Sequence, residues 1–185
     1  MIAMPFDWET AQGFTGEGRS LPAGAYICKI VNANPDKSKK GVDMLAIAFD
    51  IADGEYCDIY CDMYNRLKKE NAEAKWPNSG TYRQLIANMD GTTNGFFKGM
   101  ILNIQASNPG YEWNWDEKSL KGKLFGGVFR REEYLDNEQK ARWTTRLFKI
   151  LPVDGIENVK PPEDKPLDKA VHTTDGWVSD EQIPF

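Results

Sequence analysis

The stretch Val42-Asp43-Met44-Leu45-Ala46-Ile47-Ala48-Phe49-Asp50-Ile51-Ala52-Asp53-Gly54-Glu55-Tyr56-Cys57-Asp58-Ile59-Tyr60-Cys61-Asp62-Met63-Tyr64 decides how this chain is read. Its first half places Leu45, Ile47, Phe49 and Ile51 at every second position, the period of a strand with one face in a core. Asp53-Gly54 follows as a two-residue hairpin signal, since such turns need positive φ angles. The second half alternates again. Cys57, Ile59, Cys61 and Met63 fall on one side, and Tyr56, Asp58, Tyr60, Asp62 and Tyr64 on the other. The expectation is a β-hairpin whose second strand, residues 55–64, displays a face of tyrosines.

Working outward, residues 25–32 are rich in β-branched and aromatic side chains and predict a first strand. A loop with Pro35, Lys37, Lys39, Lys40 and Gly41 separates it from the strand at 42–52. Downstream, Ser79 is a plausible N-cap, and Tyr82, Leu85, Ile86 and Met89 repeat at helical spacing until Asp90-Gly91. Residues 99–107 read as a fourth strand, broken by Asn108-Pro109-Gly110. Two further strands, 124–135 and 142–151, are joined by the polar turn 136–140. Up to residue 135 the order strand–strand–strand–helix–strand–strand is that of an OB-fold, a mainly β five-stranded barrel with one helix between its third and fourth strands. Another small barrel or sandwich with one helix is the alternative. The layout is an N-terminal arm at 1–20, an OB-like body with a protruding hairpin at 21–152, and a flexible acidic tail at 153–185, opened by prolines.

The net charge of −5 lies wholly in that tail, where eight acids face three bases. The body is neutral, and residues 118–149 hold nine bases against four acids. Local fields rather than the average steer a polyanion, so an acidic chain does not exclude a nucleic-acid ligand. No apolar run approaches the length of a bilayer span, and the first residues lack a basic and apolar leader pattern. A cytoplasmic protein without a membrane partner is expected. Cys28, Cys57 and Cys61 are read as free thiols, because His172 stands far off in the tail and no four-ligand metal set can be assembled.

Proteins that hold single strands without sequence preference combine a cationic groove with rings that stack on bases. Trp113, Trp115, Lys121, Lys123, Arg130, Arg131, Arg142, Trp143 and Arg146 interleave those two chemistries. Strand parity puts Arg142, Thr144, Arg146 and Phe148 on one face and Trp143, Thr145 and Leu147 on the other. Arginine suits phosphate because its planar fork bonds two oxygens at once. Lys37, Lys39 and Lys40 lie in the loop that flanks the groove of an OB-fold, and Tyr60 is a further stacking candidate. A solvated hairpin with arginines paired to Glu132, Glu133 and Glu138 is the competing expectation.

The chain ends Asp180-Glu181-Gln182-Ile183-Pro184-Phe185. Phe185 offers a ring and the α-carboxylate together, and Pro184 pre-sets an extended backbone. Ile183 adds apolar area, while Asp180 and Glu181 supply charge for a basic partner. This end resembles the acidic tip of bacterial single-stranded DNA-binding proteins, with Gln182 where an acid is usual. The stretches Leu21-Pro22-Ala23-Gly24-Ala25-Tyr26 and Lys121-Gly122-Lys123-Leu124-Phe125-Gly126-Gly127-Val128-Phe129-Arg130-Arg131-Glu132-Glu133-Tyr134 resemble proteins from the replication and recombination modules of phages of Gram-positive hosts. The resemblance implies protection of single-stranded DNA and recruitment of replication or recombination proteins through the tip. A homo-oligomer is compatible with it. The alternative is a phage adaptor that uses the tip without binding DNA.

Catalysis is not expected. The chain shows no glycine-rich phosphate loop, no nucleophile elbow, and no histidine outside the tail to act as a base. Asp43, Asp50, Asp53, Asp58 and Asp62 are read as strand-surface carboxylates rather than ligands of a nuclease metal, and no cofactor is expected.

Overall fold

Two strands begin the fold; the second lies where alternation put it, while the first runs five residues further than expected, through Pro35 to Lys37, so the start of the expected loop is strand paired with residues 43–47. The structure, a computed structural model, describes Met4, Phe6 and residues 20–167. Strand β1 (Gly24–Lys37) pairs antiparallel with β2 (Asp43–Ile51), and a bulge after Ile30 shifts the register. The extra residue changes the strand's phase, so Cys28, Ile30 and Ala33 all reach the core. On β2, Leu45, Ile47, Phe49 and Ile51 are buried at every second position, and Asp50 among them is buried as well. Phe49 stands edge-on to Tyr60 and Phe125 at the centre of the core.

Past Asp53-Gly54 the chain departs from expectation. Gly54 does take a positive φ of 78°, but the segment after it is helix α1 (Ile59–Glu70), not a strand. The cause is a cap that local sequence does not show. Asp58, at the N-cap, has a left-handed φ of 56° and caps nothing with its side chain. Asp50 of β2 does so instead, accepting from the N–H groups of Ile51 (2.9 Å), Tyr60 (3.0 Å) and Cys61 (2.7 Å). It is 1% exposed, and burial raises its carboxyl above the usual aspartate range despite those three bonds.

The next two elements exchange types. The expected helix is strand β3 (Thr81–Leu85), which covers the outer edge of β2 with Ile47 opposite Tyr82. The expected fourth strand is helix α2 (Gly95–Ala106), capped by the Asn94 side chain at the N–H groups of Phe96 and Phe97. Its buried Phe97, Met100, Ile101 and Ile104 fall at i, i+3, i+4 and i+7, a helical stripe. Strands β4 (Leu124–Leu135) and β5 (Ala141–Leu151) form the expected hairpin, and a bulge at Phe148 lets Leu147 and Ile150 both turn inward.

The five strands make one antiparallel sheet in the order β3-β2-β1-β4-β5. The edges β3 and β5 do not pair, so the sheet is open rather than a closed barrel. At one end of this seam α2 lies against both β3 and β5; at the other, a 3-10 turn at Asn78–Gly80 lies between them. Residues 153–167, assigned from their prolines to the tail, lie against the body. Ile156 is buried over Gly126, where a Cβ would stand 2.8 Å from the isoleucine Cδ1. Lys165 pairs in parallel with Glu132, covering the free edge of β4. No helix among the described residues is long and apolar enough to cross a membrane.

Candidate nucleic-acid interface

The β4–β5 hairpin sorts its side chains by register. Arg130 is opposite Arg146, Glu132 opposite Thr144, and Tyr134 opposite Arg142 on one face. Arg131 is opposite Thr145 and Glu133 opposite Trp143 on the other. The first face is partly neutralised. Arg130 bonds Glu132 at 2.5 Å and lies 4.3 Å from the Phe148 ring, while Arg142 bonds Asp136 at 3.1 Å. Asp136 also accepts from the N–H groups of Glu138 and Lys140, and these bonds hold its carboxyl below the usual range. Arg146 makes no ion pair among the described residues.

The second face carries one ring and one cation together. The Arg131 guanidinium lies 4.9 Å from the centre of the Trp143 ring, which is 41% exposed. Arg131 also meets Asp164 at 3.4 Å, both side chains about half exposed. Beside them is a cleft of about 250 Å³ lined by Leu21, Tyr60, Met63, Ser79, Arg131, Trp143, Thr144 and Thr145.

Trp113 and Trp115 also meet, with ring centres 6.0 Å apart, and both pack on Phe97 at the α2 end of the core. Trp113 is half-buried, and its indole N–H has no partner among the described residues. Trp115 is 70% exposed and holds a positive φ of 66°, a costly conformation for a bulky residue. Asp116 and Asn114 pin the loop around it. Lys123 sits 4.5 Å over the Tyr111 ring, and Lys121 is exposed in the following turn.

The β1–β2 tip carries Lys37, bonded to Asp43 at 2.6 Å, and the exposed Lys39 and Lys40. Because β1 and β4 are antiparallel with Gly24 opposite Phe129, this tip and the β4–β5 tip project from opposite ends of the sheet. The candidates therefore form separate groups: lysines at one tip, Trp113 and Trp115 beside α2, and Arg131 with Trp143 at the other end. Tyr60 lies at the floor of the cleft beside the Arg131–Trp143 group but not on its surface. It is 2% exposed and points among Phe49 and the core, so it offers no stacking face. The residues expected to dock a partner, Asp180, Glu181, Ile183, Pro184 and Phe185, lie outside the described residues.

One basic–aromatic group was hidden by the strand expected at 55–64. On α1 and just beyond it, Tyr64, Arg66, Lys68, Lys69, Lys75 and Trp76 lie within thirteen residues of sequence. Tyr64 and Trp76 are 5.5 Å apart, and the Lys68 ammonium is 5.8 Å from the Tyr64 ring. A helical period over 59–70 would have revealed them. No group of metal-ligating side chains occurs among the described residues. No family model matches this chain, and no curated protein matches it in sequence.

Proposed function

We propose that this chain is a sequence-independent single-stranded DNA-binding protein and not an enzyme. It protects single strands through an OB-like body and recruits replication or recombination proteins through its C-terminal tip. The strand order supports the OB-like body. An OB barrel pairs its first strand with the second and fourth, and its third with the second and fifth. Here β1 pairs with β2 and β4, β3 pairs with β2, and only the closing pair is missing, while α2 falls between β3 and β4 in the chain. OB-folds bind oligonucleotides between the hairpin loop of strands one and two and that of strands four and five.

The observation that carries the proposal is the placement of cations on both of those hairpins and of an exposed ring on the second. Lys37, Lys39 and Lys40 stand on one, and Arg130, Arg131, Arg142, Trp143 and Arg146 on the other. A second function, a protein-binding adaptor that shares the tip, is favoured by one specific feature. Arg130, Arg131 and Arg142 already have carboxylate partners. Titrating the full chain with oligo(dT) at low salt, with duplex DNA as competitor, separates the two. Tryptophan quenching that duplex DNA does not reverse is expected; an unchanged spectrum favours the adaptor.

A further inference from the structure

The surface through which OB-folds usually hold a strand is the outer face of strands two and three. Here that face is poor in the needed chemistry. Alternation with buried Leu45, Ile47 and Phe49 places Met44, Ala46 and Ala48 there, opposite Leu85, Arg83 and Thr81. No ring stands among these six, and Arg83 is held by Asp36 at 3.1 Å. Trp143, and Trp76 through its bond to Gly80, stand instead beside the seam where the sheet fails to close.

We propose that single-stranded DNA lies in this seam, between α1 with the Asn78–Gly80 turn and the Arg131–Trp143 face of the hairpin, with one base inserted beside Trp143. This rests on the single-strand function proposed above and assigns that function a path. The contacts form a continuous series. Lys68 lies over Tyr64, and Tyr64 packs on Trp76. The Trp76 indole donates to the Gly80 carbonyl at 2.9 Å, and Ser79 lines the cleft whose far wall is Trp143, Thr144 and Thr145. Gly80 makes the close passage possible, because a Cβ there would stand 2.8 Å from both the Trp76 nitrogen and the Tyr60 ring.

The chemistry fits an extended polyanion that carries flat bases. Arg66, Lys68, Lys69 and Lys75 make no ion pair among the described residues, and Lys68 donates only to the Ala72 carbonyl at 3.0 Å, so no carboxylate there competes with phosphate for them. Drug-sized ligands take pockets of about 300–1,000 Å³. The cleft at about 250 Å³ is smaller, suited to one base between the half-exposed indole and the side chains of Ser79 and Thr145. The Asp164 contact with Arg131 is solvent-exposed and therefore weak, so a phosphate oxygen can replace it. Glu133 is the acid on this face, and the N–H of Leu167 bonds its carboxylate at 3.0 Å.

The test compares full-length wild type with Trp143→Ala and with the double variant Lys68→Glu/Lys69→Glu, using oligo(dT) and an abasic oligomer of equal length. Lys98→Glu on α2 is the charge control, and thermal melts confirm folding. Wild type is expected to hold oligo(dT) more tightly than the abasic strand. Trp143→Ala loses about tenfold in oligo(dT) affinity and leaves abasic affinity unchanged, the loss of one stacked base. Lys68→Glu/Lys69→Glu weakens both strands, and Lys98→Glu weakens neither. If wild type binds oligo(dT) but Trp143→Ala and Lys68→Glu/Lys69→Glu bind it equally well, the seam is overturned while the single-strand function stands. If wild type binds no oligo(dT), both fall together.

Discussion

Asp50 links β2 to α1, bonding the N–H of Tyr60 ten residues further along the chain. Its oxygens satisfy three backbone donors, two of them at the start of α1, which lacks a local cap. Unpaired buried donors each cost about 1–3 kcal/mol. Asp50→Ala is therefore expected to destabilise the protein by about 3 kcal/mol in urea unfolding, with loss of helical circular dichroism. The pH dependence has a definite sign. Burial raises the carboxyl's pKa, so the folded protein keeps a proton that the unfolded chain, with its ordinary value of about 4, has released. Stability from this group falls as pH rises through that window. In Asp50→Asn the dependence disappears, so the wild type gains on the variant as pH is lowered. A stability difference that stays constant across acid pH would contradict this.

Among the elements, legibility followed whether the deciding interaction was local. The β4–β5 hairpin and strand β2 were readable because alternation, turn residues and burial agree, whereas the end of β1 was not, since Pro35 and its polar neighbours read as loop although they pair with β2. Residues 59–70 were not, since Ile59 and Met63 fit a strand period of two and a helix period of four alike. The tie was broken by Asp50, on another strand. Helix α2 was misread for a different reason. Phe97, Met100, Ile101 and Ile104 carry a clear helical stripe, and Asn94 a cap, but the apolar run 99–107 invites a buried strand. Strand β3 depends on the unpaired edge of β2, which is visible only once the sheet exists. Asn94 supplies a direct check. Asn94→Ala removes an acceptor shared by the Phe96 and Phe97 N–H groups and a bond from Gln84, and is expected to cost about 1 kcal/mol. An unchanged denaturation midpoint would show that the α2 cap is dispensable.

The candidate site was legible as composition and not as geometry. Trp113, Trp115, Arg131 and Trp143 could be picked out as rings and cations, yet only the register shows that Arg131 and Trp143 share a face while Arg130 and Arg146 occupy the other. Burial of Tyr60 and the α1 cations depended on α1 itself. At the scale of the whole molecule, the proposed function assigns recruitment to the C-terminal tip and strand binding to the body, as separate tasks. Deleting Ile183–Phe185 is expected to abolish capture of replication or recombination proteins, with oligo(dT) affinity unchanged or higher. Weaker DNA binding after that deletion would join the two tasks.

The central claim is that phosphate and base contacts hold a single strand on this body. It is tested most directly by oligo(dT) affinity across a salt series, followed through tryptophan fluorescence. Each neutralised phosphate of a single strand contributes about −0.7 to the slope of log affinity against log salt. Four to six contacts predict quenching at low salt and a slope of about −3 to −4. A slope near zero, or no quenching at low salt, would contradict the account.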